Sequence, residues 1–477
     1  MPHAPIKAID YIAPTVVNQR SDRLTSSFNL MLKIKPLIVS LSVMLLAMGA
    51  GCTGDSEKNT SAPETNPVKK ETQEVKSESP AAQASKLVTS PPSNPDPAIQ
   101  QKTQQYVKQL AAKGFAGKNQ GIWIQSGNTL LANYQGTVPL PAASLTKVAT
   151  SLAALSTYGV DRQFITEIGA TGPIENGVLQ GDLVIQGAED PFFVWEEAIA
   201  LGNTLNQRGI KRVSGNLVIV GKFYMNYEQS ALKSGNLLKQ ALNSRLWTAP
   251  IATQYQTLPP GTPRPQVKID GSVQLSPITP SQVTPLVRHY SYPLTELLKK
   301  MNSYSNNKMA QMIADSVGGA TVVAEKAAKA AGVPQKEIQL INGSGLGEEN
   351  KISPRAVIAM FLAIQQYLET KNMTIADVFA VVGQDQGILE QRQIPPLSVV
   401  KSGSLNRVSA LAGALPTQQQ GIVWFAVLNS GGDLERFRAE QEALLKSFVQ
   451  QWGGVASSPA ELTPESKIKT SRNEIVN

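Results

Sequence analysis

The chain has 477 residues, 42% of them hydrophobic and 17% charged, which is enough apolar material for a sizeable core and excludes wholesale disorder. Its formal charge is +8, of which residues 1–51 hold +3 through five Lys/Arg against two Asp/Glu. The rest of the positive charge is spread out, with no basic run interleaved with aromatics, so nucleic acid is not an expected partner. One Cys, Cys52, and two His, His3 and His289, cannot build a Cys/His zinc site. No metal and no cofactor are expected. A Ser/His/Asp triad would have to use His289, because His3 lies in the leader, so serine chemistry here points to a lysine base.

In chain order, Lys33 and Lys35 precede an apolar run over 37–50 and then small residues up to Cys52. This is the layout of a secretory signal, too short for a spanning helix of about twenty residues. Residues 1–51 are expected to be a leader, with Met31 as an alternative start. Gly49-Ala50-Gly51-Cys52 resembles a bacterial lipobox, which makes Cys52 the expected lipid-attachment residue and the link to a membrane. Gly49 stands where that pattern has Leu, so cleavage releasing a soluble protein is the other reading. Residues 52–100, rich in Ser, Pro, Thr, Glu and Lys, are expected to form a disordered tether. An exported protein of the periplasm or cell envelope follows from this order.

The globular part opens with a helix and then a hairpin, 121–125 and 129–135, turned by Ser126-Gly127-Asn128. A helix over 144–158 ends at Gly159. Residues 101–165 and 286–456 are expected to form one split α/β domain, an antiparallel sheet flanked by helices. Residues 166–285 read as a smaller inserted domain, with strands at 183–186 and 216–220 around a helix over 195–208. Strands at 397–400 and 422–428 and an amphipathic helix over 434–452 close the fold. The polar tail, 457–477, is expected to be disordered.

Ser144-Leu145-Thr146-Lys147 puts a hydroxyl and an amine three apart on a helix, hence on one face, with the nucleophile at the positive end of the helix dipole. The spacing alone is unspecific. Ser230…Lys233, Ser305…Lys308 and Ser466…Lys469 repeat it, Ser-x-Asn occurs at Ser126, Ser214, Ser234, Ser305 and Ser404, and Lys-Ser-Gly occurs at Lys233 as well as Lys401. One combination alone gives Ser-x-x-Lys at a helix start, Ser-x-Asn between helices and Lys-Ser-Gly closing a strand, in that order. It consists of Ser144, Ser305 and Lys401.

These residues resemble the serine penicillin-binding proteins, and more closely the penicillin-binding protein 4-like D-alanyl-D-alanine carboxypeptidases of peptidase family S13. Further likeness lies in Pro141-Ala142-Ala143-Ser144, in Gly187-Ala188-Glu189-Asp190-Pro191, in Val213 to Val218, and in Asn342-Gly343-Ser344-Gly345-Leu346 followed by Ser353-Pro354-Arg355. Asn306 and Asn342 stand where the family has Asp, and Ser402 where it has Thr. The short gap between the first two motifs implies that a nested domain of the family is missing or reduced.

The resemblance implies a penicillin-sensitive acyl-enzyme cycle on peptidoglycan stem peptides ending in D-Ala-D-Ala, with β-lactams as covalent inhibitors. Ser144 would be the nucleophile and Lys147, made neutral by burial and by Lys401, its base. Ser305 would relay the proton and Asn307 would bind the peptide backbone. Lys401 and Ser402 would hold the substrate carboxylate, Gly403 would allow close approach, and the N–H groups of Ser144 and Ser404 would form an oxyanion hole. Asp190 could meet a peptide amine or simply make a turn, and His289 reads as structural or exposed. A class A-like β-lactamase and a non-catalytic penicillin- or wall-binding receptor are the alternative functions. Carboxypeptidase and endopeptidase action are not separated by sequence.

Overall fold

The computed structural model describes residues 94–465 and 469–476, so the leader, Cys52 and nearly all of the expected tether lie outside it. Among the described residues no helix is long and apolar enough to cross a membrane. Helix α1, Pro97–Ala112, starts a few residues earlier than expected because Asp96 caps it by accepting from the Ile99 N–H, with Pro97 at the first turn.

Strands β1 (Gln120–Ser126) and β2 (Thr129–Tyr134) form the expected hairpin. Helix α2 (Thr146–Tyr158) follows a short 3₁₀ turn over Ala143–Leu145. The chain then enters a second sheet: β3 (Ile165–Ala170), β4 (Leu183–Ala188), helix α3 (Trp195–Gln207), β5 (Leu217–Lys222), helix α4 (Ala231–Ala241), β6 (Val273–Ser276) and β7 (Thr284–Tyr290). Helices α5 (Leu294–Ser303), α6 (Asn307–Val317), α7 (Ala320–Ala331) and α8 (Pro354–Glu369) come next. They lead to β8 (Ala380–Val381), β9 (Val399–Leu405), β10 (Val408–Thr417), β11 (Gly421–Ser430), helix α9 (Leu434–Trp452) and β12 (Arg472–Ile475).

The first sheet runs β8-β9-β10-β11-β1-β2 and is antiparallel throughout, as the fold class predicts. Its closure joins distant sequence, since β1 pairs with β11 through registers such as Gln120 with Asn429. Alternation sorts its side chains. Ile122, Leu411 and Phe425 face α1 and α9, whereas Trp123, Ala412 and Trp424 face the core that holds α2 and α5 to α8. Every residue of α2 from Thr146 to Leu155 is buried, so this helix is the axis of that layer.

The second sheet, β6-β5-β4-β3-β7-β12, has its own apolar core. It departs from expectation at two edges. Strand β7, placed in the catalytic half by sequence, completes the inserted sheet, because its Leu286 and Val287 share that core. The tail is not a loose polar extension: β12 pairs with β7, setting Asn473 opposite His289 and Ile475 opposite Val287. Backbone pairing recruits it, and polar composition gives no sign of that. Two further strand readings change. The fully buried β10 carries no alternation to reveal it, and Lys401-Ser402-Gly403 lies inside β9 rather than at its end.

Candidate active site

Three segments converge where the 3₁₀ turn before α2 meets β9 and the α5–α6 loop. Ser144 sits on that turn, half-buried, just after Ala143, whose φ of 45° is left-handed. A side chain in that region costs roughly 1 kcal/mol or more and persists only when neighbours enforce it. Ser305, also left-handed at φ 51°, turns the chain between α5 and α6. Asn306 then caps α6 by accepting from the Met309 N–H at 3.0 Å. The family's Asp could make the same acceptor bond, so the Asn in the middle of the second motif is explained by capping.

Lys147 is fully buried. Its Nζ lies 2.9 Å from Ser144 Oγ, 2.7 Å from Asn307 Oδ1 and 2.7 Å from the Ser344 carbonyl oxygen. An uncharged amine has two N–H bonds and one lone pair. The amide oxygen and the carbonyl can only accept, so they take the two N–H groups and leave the lone pair facing the Ser144 hydroxyl. Burial first, and the charge of Lys401 second, hold the Lys147 pKa well below the ordinary lysine range.

Lys401, in β9, is 1% exposed, and burial lowers its pKa to about 7. It donates to Ser305 Oγ at 3.0 Å and to the Ser402 carbonyl at 2.7 Å. Neither lysine has a carboxylate partner among the described residues. Burial works against the charge of both amines, and for Lys147 the charge of Lys401 adds to it.

Two glycines fix the geometry. A Cβ on Gly403 would lie 2.8 Å from both the Ser144 nitrogen and the Ala142 oxygen, so β9 approaches the Ser144 turn as closely as only glycine permits. A Cβ on Gly345, at φ +84°, would lie 1.8 Å from the Ala143 oxygen. Ser402 is buried beside Lys401 and Ser404 is half-buried one residue past Gly403. Strand β8 pairs only with Val399 and Val400, so in this sheet the edge of β9 from Lys401 onward has β10 as its single partner.

Ser344 lies on the turn of the Asn342–Leu346 segment. Asn342 organises it: its Oδ1 accepts from Ser344 N at 3.1 Å, Gly345 N at 2.8 Å and Leu346 N at 3.2 Å. That orientation presents the Ser344 carbonyl to Lys147. The amide oxygen gives the same acceptor as the family's Asp and adds no negative charge.

Asp190 and His289 form no hydrogen bond with these residues; His289 belongs to β7 of the second sheet, and Asp190 faces it. Asp190 Oδ1 accepts from Phe192 N at 2.9 Å, the turn contact, and its Oδ2 faces His289 Nε2 at 3.5 Å, an ion-pair spacing too loose for a hydrogen bond. His289 is fully buried. No group of three His, Cys, Asp or Glu suited to a metal occurs among the described residues.

The chain matches the D-Ala-D-Ala carboxypeptidase 3 (S13) family over residues 103–231 and 264–450. It is 23% identical over 431 residues to D-alanyl-D-alanine carboxypeptidase DacB of Haemophilus influenzae, covering 69% of this chain and 89% of that one. It is also 24% identical over 336 residues to carboxypeptidase DacB of Mycolicibacterium smegmatis, covering 61% and 72%. Among solved structures, the Bd3459 predatory endopeptidase of Bdellovibrio bacteriovorus shares the fold with a TM-score of 0.60 at 21% identity, over 74% of this chain and 99% of that one. Penicillin-binding protein 4 of Haemophilus influenzae shares it at 0.53 and 21%, over 72% and 99%. The family match takes in every segment of the cluster just described, and this chain belongs to the D-Ala-D-Ala carboxypeptidase 3 (S13) family of serine peptidases.

Proposed function

We propose that this protein is a penicillin-sensitive D-alanyl-D-alanine carboxypeptidase and endopeptidase of the cell envelope, acting on peptidoglycan stem peptides through an acyl-enzyme on Ser144. The observation that carries this reading is the bonding of Lys147, whose two N–H groups are committed to Asn307 and Ser344 while its lone pair meets the Ser144 hydroxyl. Ser144 Oγ attacks the carbonyl of the penultimate D-alanine as its proton passes to Lys147. Ser305, held by Lys401, passes its proton to the leaving amine and takes in exchange the one Lys147 gained, so the amine departs neutral and Lys147 is again free to accept. Water then hydrolyses the ester by the reverse relay.

Substrate binding follows from the open β9 edge, on which an extended peptide adds as a strand, with the Asn307 amide on its backbone. Lys401 and Ser402 hold the carboxylate. The backbone N–H groups of Ser144 and Ser404 receive the oxyanion, a role supported by the tight approach of Gly403 to Ser144. A β-lactam would acylate the same hydroxyl and lodge as a slow ester, in line with the solved structure of Bd3459 acylated by penicillin G. The signal-like leader and Cys52 support export and lipid anchoring to the membrane; the mass of the mature N-terminus tests both.

The direct experiment labels wild type and Ser144→Ala with fluorescent penicillin, then measures D-alanine release from a pentapeptide and cleavage of a cross-linked dimer. Wild type should carry a lasting label and release D-alanine, and the variant neither. Label retained in Ser144→Ala would sink the assignment, and rapid turnover of penicillin would favour a β-lactamase.

A further inference from the structure

We infer that Arg438 is a positioning residue for the substrate's free carboxylate, acting through the Ser404 hydroxyl on β9. This rests on the peptidase reading above and adds a residue to it. Arg438 lies in the first turns of α9, remote in sequence from all three motifs. Its Nη2 donates to Ser404 Oγ at 2.9 Å, its Nη1 pairs with Glu435 at 2.7 Å, and its Nε is buried with no hydrogen-bond partner. The Glu435 side chain is 75% exposed, so water screens that pair and leaves much of the guanidinium charge directed at Ser404.

Ser404 follows Lys401 and Gly403 along β9 and lines an open groove of about 520 Å³ shared with Leu346, Glu348, Asn406 and Leu434. A hydroxyl has one proton and two lone pairs, whereas a guanidinium only donates. With Nη2 occupying a lone pair, the Ser404 proton is committed to another acceptor, and the groove is where one arrives. Donation from a cation also polarises that O–H and strengthens it as a donor to an anion. Ser404 thereby extends the Lys401 and Ser402 carboxylate contacts by two strand positions, with a guanidinium behind it.

The test measures acylation of Ser144 by a penicillin with a free carboxylate and by its methyl ester, in wild type, Arg438→Gln, Arg438→Lys, Ser404→Ala and the Arg438→Gln/Ser404→Ala double variant, with thermal unfolding recorded for each. Arg438→Gln should raise the half-saturating concentration of the acid about tenfold, in keeping with a hydrogen bond to a charged group. The limiting rate and the reaction of the ester should stay within about twofold on the same grounds. Ser404→Ala should reproduce the loss, the double variant should add nothing, and lysine should restore part of it. Equal losses for acid and ester, no loss for either, or additive losses in the double variant would overturn the inference. Wild type that neither penicillin labels would bring down the peptidase reading beneath it, a distinct failure from a labelled wild type with an unchanged Arg438→Gln.

Discussion

Lys147 and Lys401 near Ser144, and His289, Asp190 and Glu197 at the second sheet, are all buried but carry opposite charge arrangements. Neither lysine forms an ion pair with a carboxylate among the described residues, and burial depresses both. At His289, burial pulls the imidazole pKa down, yet the contact with Asp190, the charge of Glu197 and the Asn473 bond outweigh it and raise the value above the ordinary one. Burial also raises Glu197, with His289 and the Ser471 hydroxyl, 2.8 Å from both carboxylate oxygens, opposing that rise. One cluster is held short of compensation, which is what a base at neutral pH needs, and the other is compensated, which is what a scaffold needs.

The largest expected effect falls on the uncompensated side. Lys147→Ala should slow acylation by penicillin about 10²- to 10⁴-fold, the usual worth of a general base, without abolishing non-covalent binding. Rates within a few fold of wild type would show that another group takes the Ser144 proton. Next comes pH. Acylation should rise from acid pH as Lys147 loses its proton and fall again as Lys401 loses its own near pH 7, giving a bell whose apparent values belong to the pair. A profile level up to pH 9 would mean that the Lys401 charge is dispensable.

The tail tests the compensated side. Truncation after Glu465 removes Ser471 and Asn473 and strips Glu197 and His289 of their bonds. It should cost about 1–3 kcal/mol of stability by denaturant unfolding, the penalty for buried polar groups left unpaired, while penicillin labelling persists. Loss of labelling with unchanged stability would contradict the separation of the two clusters.

A smaller effect distinguishes the clusters by the sign of their pH linkage. The folded pKa of His289 is raised, so its contribution to stability is complete below the unfolded value near 6.5 and is lost as pH climbs through the folded one. Lys401 is depressed, so its penalty is complete below about 7 and recedes toward the unfolded value near 10.4. The stability of wild type relative to His289→Asn should therefore fall with rising pH, and that relative to Lys401→Met should grow. Parallel trends would refute the contrast. The smallest change expected is at Asn306: Ala should cost about 1 kcal/mol for the lost cap, and Asp should stay within about 0.5 kcal/mol.

How much of this was readable in advance follows from the range of each interaction. Helix α9 was found with its bounds intact because its apolar stripe repeats locally, and the β1–β2 hairpin because its turn residues lie between two apolar runs. Ser144, on the 3₁₀ turn, and Lys147, in the first turn of α2, are three residues apart, so their pairing is a matter of spacing. Strand β10, buried on both faces, offers no alternation, and Arg438 has no motif around it.

The amino-acid order by itself determined the local pieces and the order of the three motifs, because helix periodicity, turn chemistry and the scarcity of His and Cys act within short stretches of chain. Only the tertiary structure decided that Asn342 aims the Ser344 carbonyl at Lys147, that the tail seals His289, and that Lys401 reaches Ser305. Those contacts join segments tens to hundreds of residues apart, and burial, which sets the charge of both lysines, exists only once the layers have closed over them.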